Sequence, residues 1–198
     1  MRYTGPKWRI NRRENATVLG ASEKWKKRPT LPGQFPILKK RPSDYAIQFR
    51  EKQKVKRMYG MTEAQFRRFY KLANKAEGNT STRLLQLLEL RIDNVIYRLG
   101  LAQTRTQARQ FVTHGHVMLN GKKHNIPSTT LTASDEVKLS DKFSKSPIVS
   151  EMESLTKAVK VPSWLKKGAK GGTVVAEPTR DEMDQTIKER LIIELYSR

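Results

Sequence analysis

Between Leu90 and Pro127 the chain reads LRIDNVIYRLGLAQTRTQARQFVTHGHVMLNGKKHNIP, and this run leaves the backbone few choices. Ile92, Val95, Ile96 and Leu99 fall at i, i+3, i+4 and i+7, which is one apolar stripe on a short helix. Arg91, Asn94 and Arg98 lie on the opposite side. Gly100 supplies the positive φ usually needed just past a helix C-terminus. Thr104 opens a second helix, with Gln107 three positions on as a capping-box partner. Ala108, Phe111 and Val112 form its inward face, while Arg105 and Arg109, four apart, share an exposed one. Gly115 ends it. Val117 and Leu119 then alternate with Met118 as a strand, and Asn120-Gly121 is the favoured pair for a two-residue hairpin turn. The turn leads into Lys122, Lys123 and the return strand.

Two short helices and a hairpin therefore gather Arg91, Arg98, Arg105, Arg109, Lys122 and Lys123 on one small unit. Most Arg and Lys are ordinary solvated charges. Here the arginines repeat on single helix faces, and Asp93 is the only carboxylate between Arg91 and Asp135. The expectation is a set of arginines without enough acidic partners, turned toward an anion.

The segments R-I-D-N-V-I-Y-R-L-G, T-R-x-Q-A-R-Q-x-V-x-H-G-H and L-N-G-K-x-x-N-I-P resemble the RNA-binding module named after small-subunit ribosomal protein S-four. That module occurs in several RNA-binding and RNA-modifying proteins, so alone it implies a binding mode.

Composition agrees with a polyanionic partner. The 198 residues carry a formal net charge of +21, an excess that repels itself unless nucleic acid or an anionic membrane neutralises it. No apolar run approaches the ~18 residues a membrane span needs, no secretory segment follows Met1, and the basic stretches lack the apolar face of a membrane-surface helix. The apolar share is 36%, short of the usual ~45–50% even with the 11 glycines added, so part of the chain is expected to stay extended until a partner orders it. Cysteine is absent, which removes disulfides, Cys-rich zinc sites and thiol catalysis and fits a reducing cytosol.

Charge is uneven along the chain. Residues 1–60 hold 17 Lys or Arg against 4 Asp or Glu, so +13 of the +21 lies in under a third of it. The opening RYTGPKWRINRR mixes cations with Tyr3 and Trp8, which suits phosphate binding with ring stacking as well as it suits a disordered basic tail. Prolines 29, 32, 36 and 42 with Gly33 make an irregular linker that ends in Lys39-Lys40-Arg41. Ser43 caps a helix to about Tyr59, with Gly60 past its end. Thr62 and Gln65 form a capping box, and Phe66, Phe69, Tyr70 and Ala73 give a core stripe beside Arg67 and Arg68. A leucine-rich helix covers about Thr82 to Leu90.

Beyond the central unit, Glu136–Ser140 alternates as a strand and a helix runs from Ile148 to Val159. Val161–Leu165 is extended because of Pro162, KKGAKGG is a loop, and Thr173–Ala176 is a strand. Thr179 and Glu182 suggest a third capping box. Leu191, Ile193 and Leu195 alternate near the end, a segment apolar enough to dock on the helical bundle or the central module.

The fold class expected is α+β: a basic extension and linker over 1–42, a small helical bundle over 43–90, and an RNA-binding module over 91–176 with two short helices on a small antiparallel sheet. Residues 177–198 are expected to dock on the helical part.

Read end to end, RYTGPK, PSDYAIQFREKQKVKRMYG, the Q-F-R-R-F-Y run, GNT…LLQLLE and LIIELYSR resemble the bacterial ribosomal protein S-four family over nearly the whole chain. The resemblance implies a non-enzymatic cytoplasmic protein of the small subunit that binds 16S-type rRNA early and nucleates assembly. It also implies a part in decoding accuracy beside ribosomal protein S-five, with basic residues lining the channel through which mRNA enters. By resemblance Arg2, Tyr3, Lys7, Arg12, Arg13, Lys52, Lys54, Arg67 and Arg68 join Arg91, Asn94, Arg98, Thr104, Arg105, Arg109, Lys122 and Lys123 in holding rRNA. Lys39, Lys40 and Arg41 occupy the segment that faces incoming mRNA. Two departures stand out: Pro32-Gly33-Gln34-Phe35-Pro36 replaces the family's frequent P-G-Q-H-G, and the N-terminal cysteine cluster of some relatives is missing. No cofactor, metal or small-molecule substrate is implied.

Three other classes share parts of this pattern. An RNA-modifying enzyme with the same module would need a placed acid, base or nucleophile, and His114, His116 and His124 resemble neither a triad nor a metal site. His114, near a helix C-terminus, reads as a cap charge. A free regulatory RNA binder and a DNA-compacting protein also fit the charge.

Overall fold

The computed structural model describes residues 3–20, 24–27, 30–33, 41–156 and 160–197. Arg2, Lys39, Lys40, the Gln34-Phe35-Pro36 turn and the last three residues of the helix expected to reach Val159 lie outside them. Among the described residues the helices are α1 (Lys7–Glu14), α2 (Asp44–Met58), α3 (Glu63–Lys75), α4 (Thr80–Glu89), α5 (Ile92–Arg98), α6 (Arg105–Thr113), α7 (Asp141–Ser144), α8 (Pro147–Thr156) and α9 (Glu189–Ser197). The strands are β1 (Val117–Leu119), β2 (Lys122–His124), β3 (Glu136–Leu139), β4 (Leu165–Lys167) and β5 (Gly171–Val174), in one antiparallel sheet of order β2-β1-β3-β5-β4. This is an α+β fold. The chain divides into one unit of residues 1–82 with 185–198 and a second of residues 83–184.

In the first unit, local capping starts the helices where the sequence signals them. Ser43 Oγ accepts from the Ala46 amide, and Thr62 with Gln65 closes a full capping box. Gly60 takes φ +60° between α2 and α3. Phe66, Phe69 and Ala73 bury the inner face of α3. The basic opening contains a helix as well: Asn11 on α1 is fully buried, and its Oδ1 accepts from the Val18 and Leu19 amides at 3.1 and 3.0 Å. Glu14, its side chain wholly shielded from solvent, pairs with Arg50 and Arg57 of α2. Burial raises its carboxyl, and Arg50, Arg57 and Arg13 only partly offset that.

One sequence expectation is corrected here, and two candidate cations are placed. The alternation of Leu191, Ile193 and Leu195 is part of helix α9, which buries Ile192 and packs on α2. Lys52 and Lys54, named among the RNA cations, are buried and paired within this unit. Lys52 Nζ donates to Glu63 at 2.6 Å, and Lys54 Nζ bonds the Thr186 carbonyl and Glu51, both at 2.7 Å. The buried face of α2 carries Gln48, Lys52, Gln53 and Lys54 beside Val55 and Met58, which is why its apolar stripe fades in the sequence.

Glu63 collects donors from Lys52, Lys56 and the Tyr196 hydroxyl, while Tyr196 stacks on Tyr70 at 4.6 Å. Burial alone would raise the Glu63 carboxyl, but those hydrogen bonds outweigh it and bring it from 4.5 down to about 2. A depressed carboxyl contributes stability that is present above its ordinary value and lost as pH falls through the folded one. We expect Glu63→Gln to remove part of the acid sensitivity between about pH 5 and 2, read as a narrowing gap between parent and variant in urea unfolding at stepped pH. Equal gaps across that window would refute it.

In the second unit, Leu90, Ile92, Val95, Ile96 and Leu99 meet Ala108, Phe111 and Val112 of α6 and the sheet residues Val117, Val137, Leu139, Leu165 and Val174 in one core. KKGAKGG, expected as a loop, is the β4–β5 hairpin, and β5 covers Gly171–Val174 rather than Thr173–Ala176. Its glycines hide the strand pattern, and cross-strand partners supply what propensity lacks. The proposed third capping box is a short 3₁₀ turn, Arg180–Glu182; Glu182 accepts from the Ser163 amide and the Thr179 hydroxyl. No helix among the described residues is long and apolar enough to cross a membrane.

Candidate nucleic-acid interface

The site residues of the second unit are placed by the ends of α4, α5 and α6. Arg91 is the N-cap residue of α5, and its neighbours are tied to the loop before β3 by Ile92 N to Thr129 O (2.9 Å) and Leu131 N to Leu90 O (2.8 Å). Its side chain is fully buried. The guanidinium forks onto Asp93 at 3.1 and 2.7 Å and reaches the Pro127 carbonyl at 3.3 Å. Asp93 also lies 3.6 Å from Arg109 Nη1. Arg91 was expected on an exposed face; it is a strut inside the module.

Glu89, the last residue of α4, does the same for the other arginines. It accepts from Arg98 Nε at 2.9 Å, Arg98 Nη2 at 2.7 Å and Asn94 Nδ2 at 2.7 Å, with Arg105 Nη2 4.0 Å away. Asn94 then relays the contact, since its Oδ1 accepts from Arg105 Nε at 2.8 Å. The Arg105 guanidinium sits 4.6 Å from the centre of the Tyr97 ring. The sequence shows one carboxylate for these arginines; the structure adds a second, Glu89. Glu89, one residue upstream of the motif, and Asp93 organise all four. Both carboxylates are buried, whereas the side chains of Arg98, Arg105 and Arg109 are 22, 20 and 23% exposed. Four guanidinium groups against two carboxylates leave the cluster positive.

Thr104 is a cap: its Oγ1 accepts from the Gln107 amide at 3.3 Å, but Gln107 Oε1 turns to the Gln103 amide, so the capping box is open on one side. In the β1–β2 hairpin Asn120 and Gly121 take φ +49° and +76°, as a type I′ turn requires. Asn120 Nδ2 donates to Asp135 and its Oδ1 accepts from the Glu136 amide, both at 2.8 Å. Lys122 and Lys123 are exposed beyond it, the Lys123 stem lying over Gly115 (φ +70°). His116 stacks on Phe143 at 4.1 Å, and burial, then His114 and Lys123, lower its pKa. His124 is held by Thr129.

Of the candidates in the first unit, Tyr3, Lys7, Arg13, Arg41, Arg67 and Arg68 are exposed. Arg12 is half-buried and bonds the Thr30 carbonyl at 2.9 Å, so it shapes its own segment. Sequence reasoning missed Glu89 because it belongs to another helix and lies nine positions from Arg98. The only signal was its place as the nearest upstream carboxylate.

Two family descriptions match the chain: "Ribosomal protein S4/S9 N-terminal domain" over residues 2–89 and "S4 domain" over residues 90–137. Among curated relatives, a protein of Opitutus terrae is 44% identical over 200 residues, covering 100% of this chain and 98% of that protein. One from Geotalea daltonii is 45% identical over 208 residues, and one from Natranaerobius thermophilus 42% over 207, each covering 100% of this chain and 99% of its own. All three are named small ribosomal subunit protein uS4.

Proposed function

Because the chain belongs to the uS4 family of small-subunit ribosomal proteins, we propose that the Glu89–Asp93 arginine cluster is the rRNA grip of a protein that nucleates small-subunit assembly. As a member of this family it is an rRNA-binding structural constituent of the small subunit and not an enzyme. The observation that carries the proposal is the pair of buried carboxylates holding Arg98, Arg105 and Arg109 from behind. A guanidinium has five N–H donors and a carboxylate fork takes two, so an anchored arginine can still offer an edge to a phosphate. Preset geometry lowers the ordering cost of binding a folded RNA junction, where phosphates and 2′-hydroxyls are read rather than base edges hidden in the deep groove.

Tyr3, Lys7, Arg13, Arg67 and Arg68 add contacts from the first unit in this reading, with Lys122 and Lys123 on the hairpin. The basic extension 1–42, the helical part 43–90 and the module 91–176 would then act as three RNA-contacting segments. Lys39, Lys40 and Arg41 face incoming mRNA, and a contact with ribosomal protein S-five links the chain to decoding accuracy.

The test is binding of the full chain to a 5′ fragment of small-subunit rRNA across a salt series. Arg105→Gln with Arg109→Gln is expected to lower affinity roughly tenfold or more and to flatten the log K versus log salt slope by about 1.4–1.8. An unchanged slope, or equal affinity for a random RNA duplex at matched salt, would sink the proposal.

A further inference from the structure

The face of the five-stranded sheet turned away from the core carries its own cations. Antiparallel register fixes which residues share that face, because directly paired residues point the same way. Met118 pairs with Lys123 on one side and Lys138 on the other, Lys138 pairs with Gly171, and Thr173 pairs with Glu136 and Lys166. Val117, Val137, Leu139 and Val174 alternate with these and lie in the core. The outward set is thus Lys123, Met118, Lys138, Glu136, Gly171, Thr173 and Lys166.

Lys123, Lys138 and Lys166 are exposed on this surface, one on every second strand. Strand spacing places neighbours in that row about 10–12 Å apart across the sheet. Glu136 is the one acidic residue of the set, and it forms an exposed pair with Lys138 at 2.6 Å, which is a weak contact in water. Asp135 beside it is occupied by Thr132 and Asn120. The outward-facing strand residues include no aromatic or large branched side chain to anchor a protein partner. Gly171 keeps its centre flat.

We infer that this open sheet face is a second RNA-backbone contact, made by Lys138 and Lys166 and separate from the arginine cluster. Lys123 stands at the β2 edge between the two surfaces. Ammonium groups on flexible stems suit a sequence-independent hold on successive phosphates, where the forked arginines fix register. The inference rests on the rRNA-binding reading above, and the experiment separates the two.

Full-length Lys138→Gln/Lys166→Gln is compared with the parent and with Arg105→Gln/Arg109→Gln on the same rRNA fragment. The expected result is a salt slope lower by about 1.4–1.8, with an unchanged melting temperature because both lysines are exposed. If the sheet variant binds like the parent while the arginine variant loses its slope, this inference falls and the rRNA reading stands. If neither variant changes, both fall. Amine acetylation of the binary complex gives a second readout, in which RNA is expected to shield Lys138 and Lys166. Shielding that arises only in the complete subunit, and not with RNA alone, would assign the face to a protein and overturn the inference.

Discussion

Glu89→Gln is expected to lower the melting temperature of the second unit by roughly 10 °C. The substitution keeps shape and removes charge. Glu89 is 1% exposed and takes both fork bonds of Arg98 as well as the Asn94 amide. Glutamine would set its own NH2 group against those donors and leave a partly buried guanidinium unneutralised. Removing one partner of a buried ion pair costs about 3–5 kcal/mol. For a chain of this length each kcal/mol shifts the midpoint by about 2–4 °C. Asn94 would keep its bond to the Glu89 carbonyl but lose the charge-assisted one to the carboxylate, so Arg105 would be held less firmly and rRNA affinity should drop with stability. Adding Arg98→Met to Glu89→Gln should recover part of the loss, because the orphaned charge is then gone. Calorimetry of the three chains checks this; a midpoint unchanged in Glu89→Gln would show that the carboxylate does not organise the cluster.

Gly171→Val should be comparably damaging for a different reason. A Cβ at Gly171 would land on the Val137 carbonyl oxygen and 2.8 Å from the Lys138 Cα. Both are backbone atoms of the paired strand, and they cannot move without breaking the β3–β5 ladder. At Gly172 the added atom would meet Leu99 Cδ2 at 2.5 Å and the Lys166 carbonyl at 2.7 Å, so that side of β5 is closed too. Overpacking of this kind costs about 3 kcal/mol at its upper range. We expect hydrogen exchange to speed up in residues 136–139 and 165–174, with α5 and α6 less affected. Uniform protection across the sheet would show that the strands can part enough to accept the side chain.

Much of the second unit was legible because its signals are local. The spacing of Ile92, Val95, Ile96 and Leu99 marks a buried stripe wherever the helix packs, and Gly100 and Asn120-Gly121 need positive φ whatever surrounds them. The errors fall where partners come from afar. Arg91 looks like any surface arginine until the loop near Pro127 and Thr130 folds over it. Lys52 and Lys54 look solvated until Glu63 and residues of the C-terminal segment close on them. The KKGAKGG hairpin has almost no intrinsic strand preference and is specified by pairing with β3. In α9, Ile192 lies between two other apolar residues, so a short window shows alternation where a longer one shows a helical face.

The tether on Asn120 bears on how the hairpin ages. Asn-Gly is the dipeptide most prone to deamidation, because the small residue that follows lets its backbone nitrogen attack the side-chain carbonyl and expel ammonia. Here the nitrogen that would leave is bonded to Asp135, and the carbonyl under attack is bonded to the Glu136 amide. The two bonds restrain rotation of the side chain toward the Gly121 nitrogen, so the turn that aligns Lys122 and Lys123 undergoes this slow decay less readily than a free Asn-Gly sequence.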